Sequence, residues 1–319
     1  MVNKRKEIID YIKDYTLSDE AKEIIISSKI INKEGFDVWS FKKLIFLEYY
    51  LSPFLDIWCN QGSKCFFLDM FSSAGANEIP SSQIKSIGSP IVSLLRGVKY
   101  VKSKNRHNRF SKWFFIDHNP NYCSALEDRV RKTLEIIKSK SNEDLSLNKD
   151  VFVLSGDCNT KILDVIKEIE KEQKETNSKV ALLAFIDPYT FTDIKWETFE
   201  KLFSLKYVDI IFTLPIQTIQ RGYKPCKNLG EYLPKKLHEL LKKQDISSIP
   251  PVEFEKSYAE GLTSLAKRSM TFYDVGIITK TLQNREIYRI NLFTHCSSAS
   301  KAVLPKAKEL NSLKSEDIK

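Results

Sequence analysis

The chain has 319 residues, 42% hydrophobic and 29% charged. That is enough apolar material for a sizeable core, which excludes global disorder and leaves room for one large domain or one domain with an accessory region. Fifty Lys and Arg against forty-one Asp and Glu give a formal net charge of +9, a balance that suits an anionic partner such as nucleic acid and serves solubility equally well.

The N-terminal MVNKRKEIIDYIKDY mixes acids with its basic residues and lacks a small-residue cleavage site, so it does not read as a signal peptide. No apolar run reaches the roughly 18 residues that span a bilayer. No membrane association and a cytoplasmic location are expected. Cys59, Cys65, Cys123, Cys158, Cys226 and Cys296 form no CxxC pair, and His107, His118, His238 and His295 are scattered. Reduced thiols and no metal cluster are therefore expected.

Residues 1–60 read as a helical cap. Ile8, Ile9, Ile12, Tyr15 and Leu17 recur at helical spacing, as do Trp39, Phe41, Leu44, Leu47, Tyr50 and Leu51, with Ser52-Pro53 interrupting the second pattern. From Lys64 the chain alternates. Short apolar runs, CFFLDMF (65–71), WFFIDH (113–118), VFVLSGD (151–157), VALLAFIDPY (180–189) and VDIIFTLP (208–215), are separated by amphipathic stretches. Continuous apolar runs suit parallel strands buried on both faces, and the alternation predicts a doubly wound α/β sheet. Residues 76–88 and the basic stretch 99–112 read as loops.

A helical insertion is expected near 221–268. After it, TFYDVGIITKTL (271–282) and EIYRINLFTHC (286–296) flank Gln283-Asn284-Arg285 and predict a hairpin. A parallel sheet finishing in a hairpin with one antiparallel strand predicts a Rossmann-like fold of the class I S-adenosylmethionine (SAM) methyltransferase type over 61–300. Residues 301–319 read as a polar tail.

Ligands in such sheets bind at the carboxyl ends of the strands. Four runs carry an acid there, Asp69, Asp117, Asp157 and Asp187, and unpaired carboxylates at buried strand ends are costly. A SAM site explains them together. In FFLDMFSSAGANE, Asp69, Phe71, Ser73 and Gly75 shape a small-residue loop that lets backbone approach a ligand, and Ser89-Pro90 is read as a capped helix start. Asp117, beside His118, is assigned to the ribose hydroxyls, or to capping the helix that begins near Asn119-Pro120. Asp157, beside Cys158, accepts from the adenine amino group or caps the next helix. Asp187, Pro188 and Tyr189 resemble the DPPY-type motif of amino-group methyltransferases, without its second proline, and are assigned to catalysis. Arg221, Tyr223 and Lys224 follow the fifth strand and combine charge with an aromatic ring, as nucleic-acid contact requires.

The helix WSFKKLIFLEYYLSPF (39–54), LDMFSSAG (68–75), GSP (88–90), FFIDHNP (114–120), SGD (155–157), FIDPYTF (185–191) and YRINLFTH (288–295) together resemble the three-Cys-motif partner protein family. The resemblance implies a methyltransferase-like protein encoded beside a partner with a CxxxCxxC-type motif, near mobile elements or phage-related genes. The family's first loop is closer to LFAGPG, and its fourth strand ends in DPFG or DPYG, where this chain has MFSSAG and Thr190. Two other classes stand beside the methyltransferase expectation: a non-catalytic scaffold for nucleic acid or a partner protein, and a magnesium-dependent nuclease using Asp69, Asp157 and Asp187.

Overall fold

The computed structural model describes residues 2–312 apart from 38–39, 102–105, 223–225, 227, 244–248, 267–270 and 281–285. Trp39 and the turn at 283–285 lie outside the described residues. Helices α1 (Val2–Thr16), α2 (Asp19–Ile26) and α3 (Ser40–Asn60) come first. Ser18 starts α2 by accepting from the Ala21 amide. α3 runs on through Pro53, because Leu51, Phe54, Leu55 and Trp58 are buried on either side of it and hold the helix on the sheet.

Next come β1 (Lys64–Asp69), β2 (Ala76–Glu78), β3 (Lys85–Ile87), α4 (Ser89–Arg96), β4 (Val98–Val101), β5 (Arg106–Arg109) and β6 (Lys112–Asp117). α5 (Pro120–Ser141), β7 (Val151–Ser155), α6 (Cys158–Thr176), β8 (Val180–Ile186), α7 (Trp196–Phe203) and β9 (Val208–Leu214) continue the alternation. The insertion holds α8 (Ile216–Gly222), a 3₁₀ turn at Leu229–Glu231, α9 (Lys235–Lys243) and α10 (Pro251–Leu265). β10 (Thr271–Lys280), β11 (Glu286–Thr294) and α11 (Ser297–Ser312) complete the described chain.

The main sheet has seven strands in the order β10-β11-β9-β8-β1-β6-β7. β1, β6, β7, β8 and β9 pair in parallel, and β11 enters antiparallel to both β9 and β10. The chain winds outward from β1 through β6 to β7, then crosses back to β8 and β9, so strand order reverses between β1 and β8.

Alternate residues of β1 serve two cores. Cys65 and Phe67 pack with residues of α1 to α5 and α11, whereas Phe66 and Leu68 pack with residues of α6, α7, α9 and α10. Burial on both faces is why these runs read as continuously apolar.

Three expectations change. The stretches read as loops at 76–88 and 99–112 carry antiparallel ribbons, β2-β3 and β4-β5. They were missed because runs of three and four residues are too short for a period-2 pattern. Ser89 does not cap α4: the N-cap is Gly88, with no side-chain hydrogen bond, and the Ser89 hydroxyl points to Asp69 instead. Residues 301–312 of the expected tail belong to α11, which packs on α3 and buries Val303, Ala307 and Leu310. Among the described residues no helix is long and apolar enough to cross a membrane.

One residue ties the cap to the sheet, and another seats the loop after β1 on α5. Arg129 of α5 is fully buried and donates to the Ala74 carbonyl at 2.7 Å and to the Ile25 and Ser28 carbonyls at 3.1 and 2.9 Å. Gly75 sits at φ +73°, where a Cβ would lie 2.6 Å from Cδ1 of Leu126. Its glycine is required by loop shape and by α5 packing, not by ligand approach. Gly75→Ala is expected to cost about 2 kcal/mol, because a positive φ and a clash act together, and a urea unfolding curve measures it.

Candidate functional site

A cleft of about 620 Å³ opens at the carboxyl ends of β1, β6, β7 and β8, beside the reversal of strand order. The segment 32–36 and the first turns of α3 form its other wall. That segment is anchored on β2. The Asn32 amide donates to the Ala76 carbonyl at 3.0 Å, and its side chain donates to Asn77 Oδ1 at 3.0 Å.

Asp69 lies beneath the cleft rather than lining it. It is fully buried, accepting from the Ser89 hydroxyl at 2.6 Å and the Phe71 amide at 3.1 Å. Burial pushes its carboxyl up to about 7, against the lowering effect of those two hydrogen bonds. Its place is structural: it ties the loop after β1 to the start of α4.

That loop is laid across β6. The Ser72 amide and hydroxyl both donate to the Ile116 carbonyl at 2.9 Å. Ser73, at φ +53°, donates its amide to Asp117 Oδ2 at 2.8 Å. Asp117 Oδ1 accepts from the Asn119 amide at 2.8 Å, while Asn119 itself caps α5. Asp117 thus lines the cleft and is not the helix cap. The Ser73 hydroxyl is buried in the cleft wall with no partner among the described residues. Phe71 also lines the cleft, and so does His118, whose side chain is largely exposed.

Asp157 caps α6, its Oδ1 accepting from the Asn159 amide and side chain at 2.9 and 2.8 Å. Asn159 bridges outward from there, donating to the Asp193 carbonyl at 3.0 Å and accepting from the Lys195 amide and Thr198 hydroxyl at 2.8 and 2.7 Å. Burial, then Asp157 and Asp193, push the Cys158 thiol up to about 12, so this cleft-lining sulfur stays protonated and is no nucleophile.

At the other end stands Asp187. Lys43 of α3 donates to its Oδ1 at 2.9 Å and its Oδ2 at 2.7 Å, and the Lys43 ammonium lies 4.7 Å from the Tyr288 ring centroid. Pro188 and Tyr189 follow in the wall. Tyr189 is 63% exposed, its ring packed over Gly35, where a Cβ would come within 3.0 Å. Thr190, in the place of a glycine, closes the loop on Asp193 through its amide at 2.6 Å and hydroxyl at 2.8 Å.

Of the assigned residues, Phe71, Ser73, Asp117, His118, Asp157, Cys158, Asp187, Pro188 and Tyr189 line one cleft, while Asp69 and Gly75 support it from below. Arg221 lies in the last turn of α8, exposed and outside the lining. Tyr223 and Lys224 lie outside the described residues. The three aspartates weighed as magnesium ligands have other partners: Ser89 for Asp69, Asn159 for Asp157 and Lys43 for Asp187. Sequence reading missed Lys43, Tyr122 and the 32–36 wall. For Lys43 a signal existed, since Lys42-Lys43 interrupts an otherwise apolar helix face.

Fold and cleft together define a Rossmann-like α/β protein. No protein-family model and no curated protein sequence matches the chain. Among solved structures it resembles protein LPL1258 of Legionella pneumophila, a DUF519 protein, at 12% identity over 84% of this chain and 92% of that one, with a TM-score of 0.46. It also resembles a conserved hypothetical protein of Streptococcus pyogenes at 14% identity over 48% of this chain and 69% of that one, with a TM-score of 0.27.

Proposed function

We propose that the chain is a SAM-dependent methyltransferase acting on nucleic acid. The observation that carries this reading is the strand order, a parallel sheet ended by a hairpin whose final strand enters antiparallel beside β9. Class I SAM methyltransferases share that arrangement, and their cofactor lies at the carboxyl ends of the first strands. Because fold does not by itself fix a reaction, the residues of the cleft must fit the ligand independently.

They do fit. A volume of about 620 Å³ is in the range that holds an adenosyl-sized molecule. Asp117 accepts one backbone amide on each oxygen, leaving acceptor sites for two ribose hydroxyls. Both Asn159 contacts fall on Asp157 Oδ1, which leaves Oδ2 to accept from the adenine amino group, and the Ser73 hydroxyl, without a partner among the described residues, offers a further polar contact. The lining carries five carboxylates (Glu34, Asp117, Asp157, Asp187, Asp193) against Lys43 and Lys195, which favours a ligand of net positive charge. SAM supplies the transferable methyl on its sulfonium; the protein's part is orientation.

Asp187 keeps one acceptor site on each oxygen beside Lys43, enough to orient an exocyclic amine, with the exposed Tyr189 ring available to stack on the base. The acidic lining repels phosphate, so a nucleic-acid backbone stays outside the cleft, where the chain's net charge of +9 and the exposed Arg221 assist. A CxxxCxxC-motif partner and a mobile-element or phage-defence setting complete the proposal, on the strength of the family resemblance.

A second reading, a non-catalytic scaffold for nucleic acid or a partner, is favoured by one observation: Lys43 engages both oxygens of Asp187. Calorimetric titration with SAM and with S-adenosylhomocysteine separates the two. One-to-one binding is expected, weakened about 10- to 100-fold in Asp117→Ala, as befits lost hydrogen bonds to a charged group. No heat at millimolar ligand with folded protein excludes the methyltransferase reading.

A further inference from the structure

Away from the cleft, two thiols meet. Cys59 lies in the last turn of α3 and Cys65 is the second residue of β1, and their sulfurs are 3.5 Å apart. A tight turn brings them together. The Gln61 and Ser63 amides donate to the Trp58 carbonyl at 3.1 and 3.0 Å, the Gly62 amide donates to the Cys59 carbonyl at 3.1 Å, and Gly62 adopts φ +73°. None of the six cysteines is in a disulfide. Cys59 also reaches the Arg109 carbonyl at 3.8 Å, while Cys123 and Cys158 donate to the Asp117 and Asp193 carbonyls and Cys296 meets the Ser298 hydroxyl; among the described residues Cys59 and Cys65 form the sulfur–sulfur contact. Cys59 is half-buried and Cys65 wholly buried behind it.

We propose that Cys59 and Cys65 form a covalent modification site, a dithiol that a hydroperoxide converts to a disulfide fastening α3 to β1. The Cys59 thiolate attacks a peroxide oxygen. The O–O bond breaks, leaving Cys59 as a sulfenic acid and releasing one water. The Cys65 sulfur then attacks the sulfenic sulfur; the S–S bond forms, the S–O bond breaks and a second water leaves. Hydrogen peroxide takes up the two electrons, and both thiol hydrogens end in water. The order follows exposure, since Cys59 meets the reagent first. The hydrogen bond with Cys59, followed by burial, raises the Cys65 thiol well above its ordinary value, so it stays protonated through the first step and passes its proton to the leaving hydroxide in the second. Closing from 3.5 Å to a bond of about 2.05 Å asks only for side-chain rotation and a small approach. Lys43 lies sixteen positions before Cys59 in the same helix, about 24 Å away at 1.5 Å per residue, so the fastening leaves the cleft lining in place.

Lys64 separates the two cysteines, so trypsin puts them on different peptides, residues 44–64 and 65–85. The native chain is treated with hydrogen peroxide, blocked with N-ethylmaleimide and digested without reductant. The two peptides are expected to appear joined, two mass units lighter than their sum, in more than half of the molecules, and to separate on adding dithiothreitol. Cys59→Ser, at a half-buried position, is expected to abolish the joined species while the far-ultraviolet spectrum stays native, and Cys65→Ala serves as the second control. Both peptides carrying N-ethylmaleimide after oxidation overturns the proposal, as does Cys59 passing to sulfinic acid with no joined product.

Discussion

Lys43→Met is expected to lower the unfolding free energy by about 3 kcal/mol. The lysine side chain is 8% exposed and its Asp187 partner 22%, so removing the ammonium leaves a carboxylate with little water to replace it. Breaking a buried pair from one side typically costs about 3–5 kcal/mol; contact of Asp187 with the open cleft puts this pair at the lower end. The lost ammonium–ring contact with Tyr288, 4.7 Å from the centroid, adds to the effect. The double change Lys43→Met with Asp187→Asn is expected to recover most of the loss, because no uncompensated charge remains. Urea denaturation of the four proteins at neutral pH measures this cycle. A single variant within about 0.5 kcal/mol of the parent means that water already solvates the pair.

The second large effect is a pH dependence. The Asp69 carboxyl titrates at about 7 in the folded chain, mainly through burial, whereas an unfolded aspartate titrates near 3.9. A proton is therefore bound more tightly in the native state. The resulting stabilisation is complete below about pH 4 and is lost as pH rises through 7. A pKa difference of about three units corresponds to a loss on the order of 4 kcal/mol by pH 8, roughly 6 °C in melting temperature for a chain of this size. Asp69→Asn keeps an acceptor for the Phe71 amide and removes the titration, so its melting temperature is expected to change much less between pH 5 and pH 8. Asp209 and Glu48, also raised by burial, leave a residual slope of the same sign. Parallel melting curves for the two proteins across that range mean that Asp69 is not the titrating group.

Much of the fold was legible because its signals are local. The runs beginning at Cys65, Trp113, Val151, Val180 and Val208 are apolar without alternation, and strands buried on both faces demand that wherever they occur. An acid at a strand end is equally visible, which is why Asp117, Asp157 and Asp187 were marked and do line one cleft. The ribbons β2-β3 and β4-β5 were not legible, since their pairing rests on partners rather than on pattern.

The cleft also shows where local reading stops. Asp69 and Asp117 look alike in sequence, each closing an apolar run, yet one is fully buried under the loop and the other lines the cavity. Their difference comes from the path of residues 70–73 across β6. Ser89 looks like a helix cap, but its hydroxyl donates to the Asp69 carboxyl at 2.6 Å, a partner 20 positions away that no local pattern announces.

By itself the sequence determined the alternating α/β architecture, the closing hairpin and the acids at the strand ends, because periodicity and strand termini are written in neighbouring residues. Only the tertiary structure decided which of those acids line the cleft, that α11 belongs to the core, and that Lys43 faces Asp187 across 144 positions. Contacts at such separation depend on how helices dock on the sheet, and no local pattern encodes that docking.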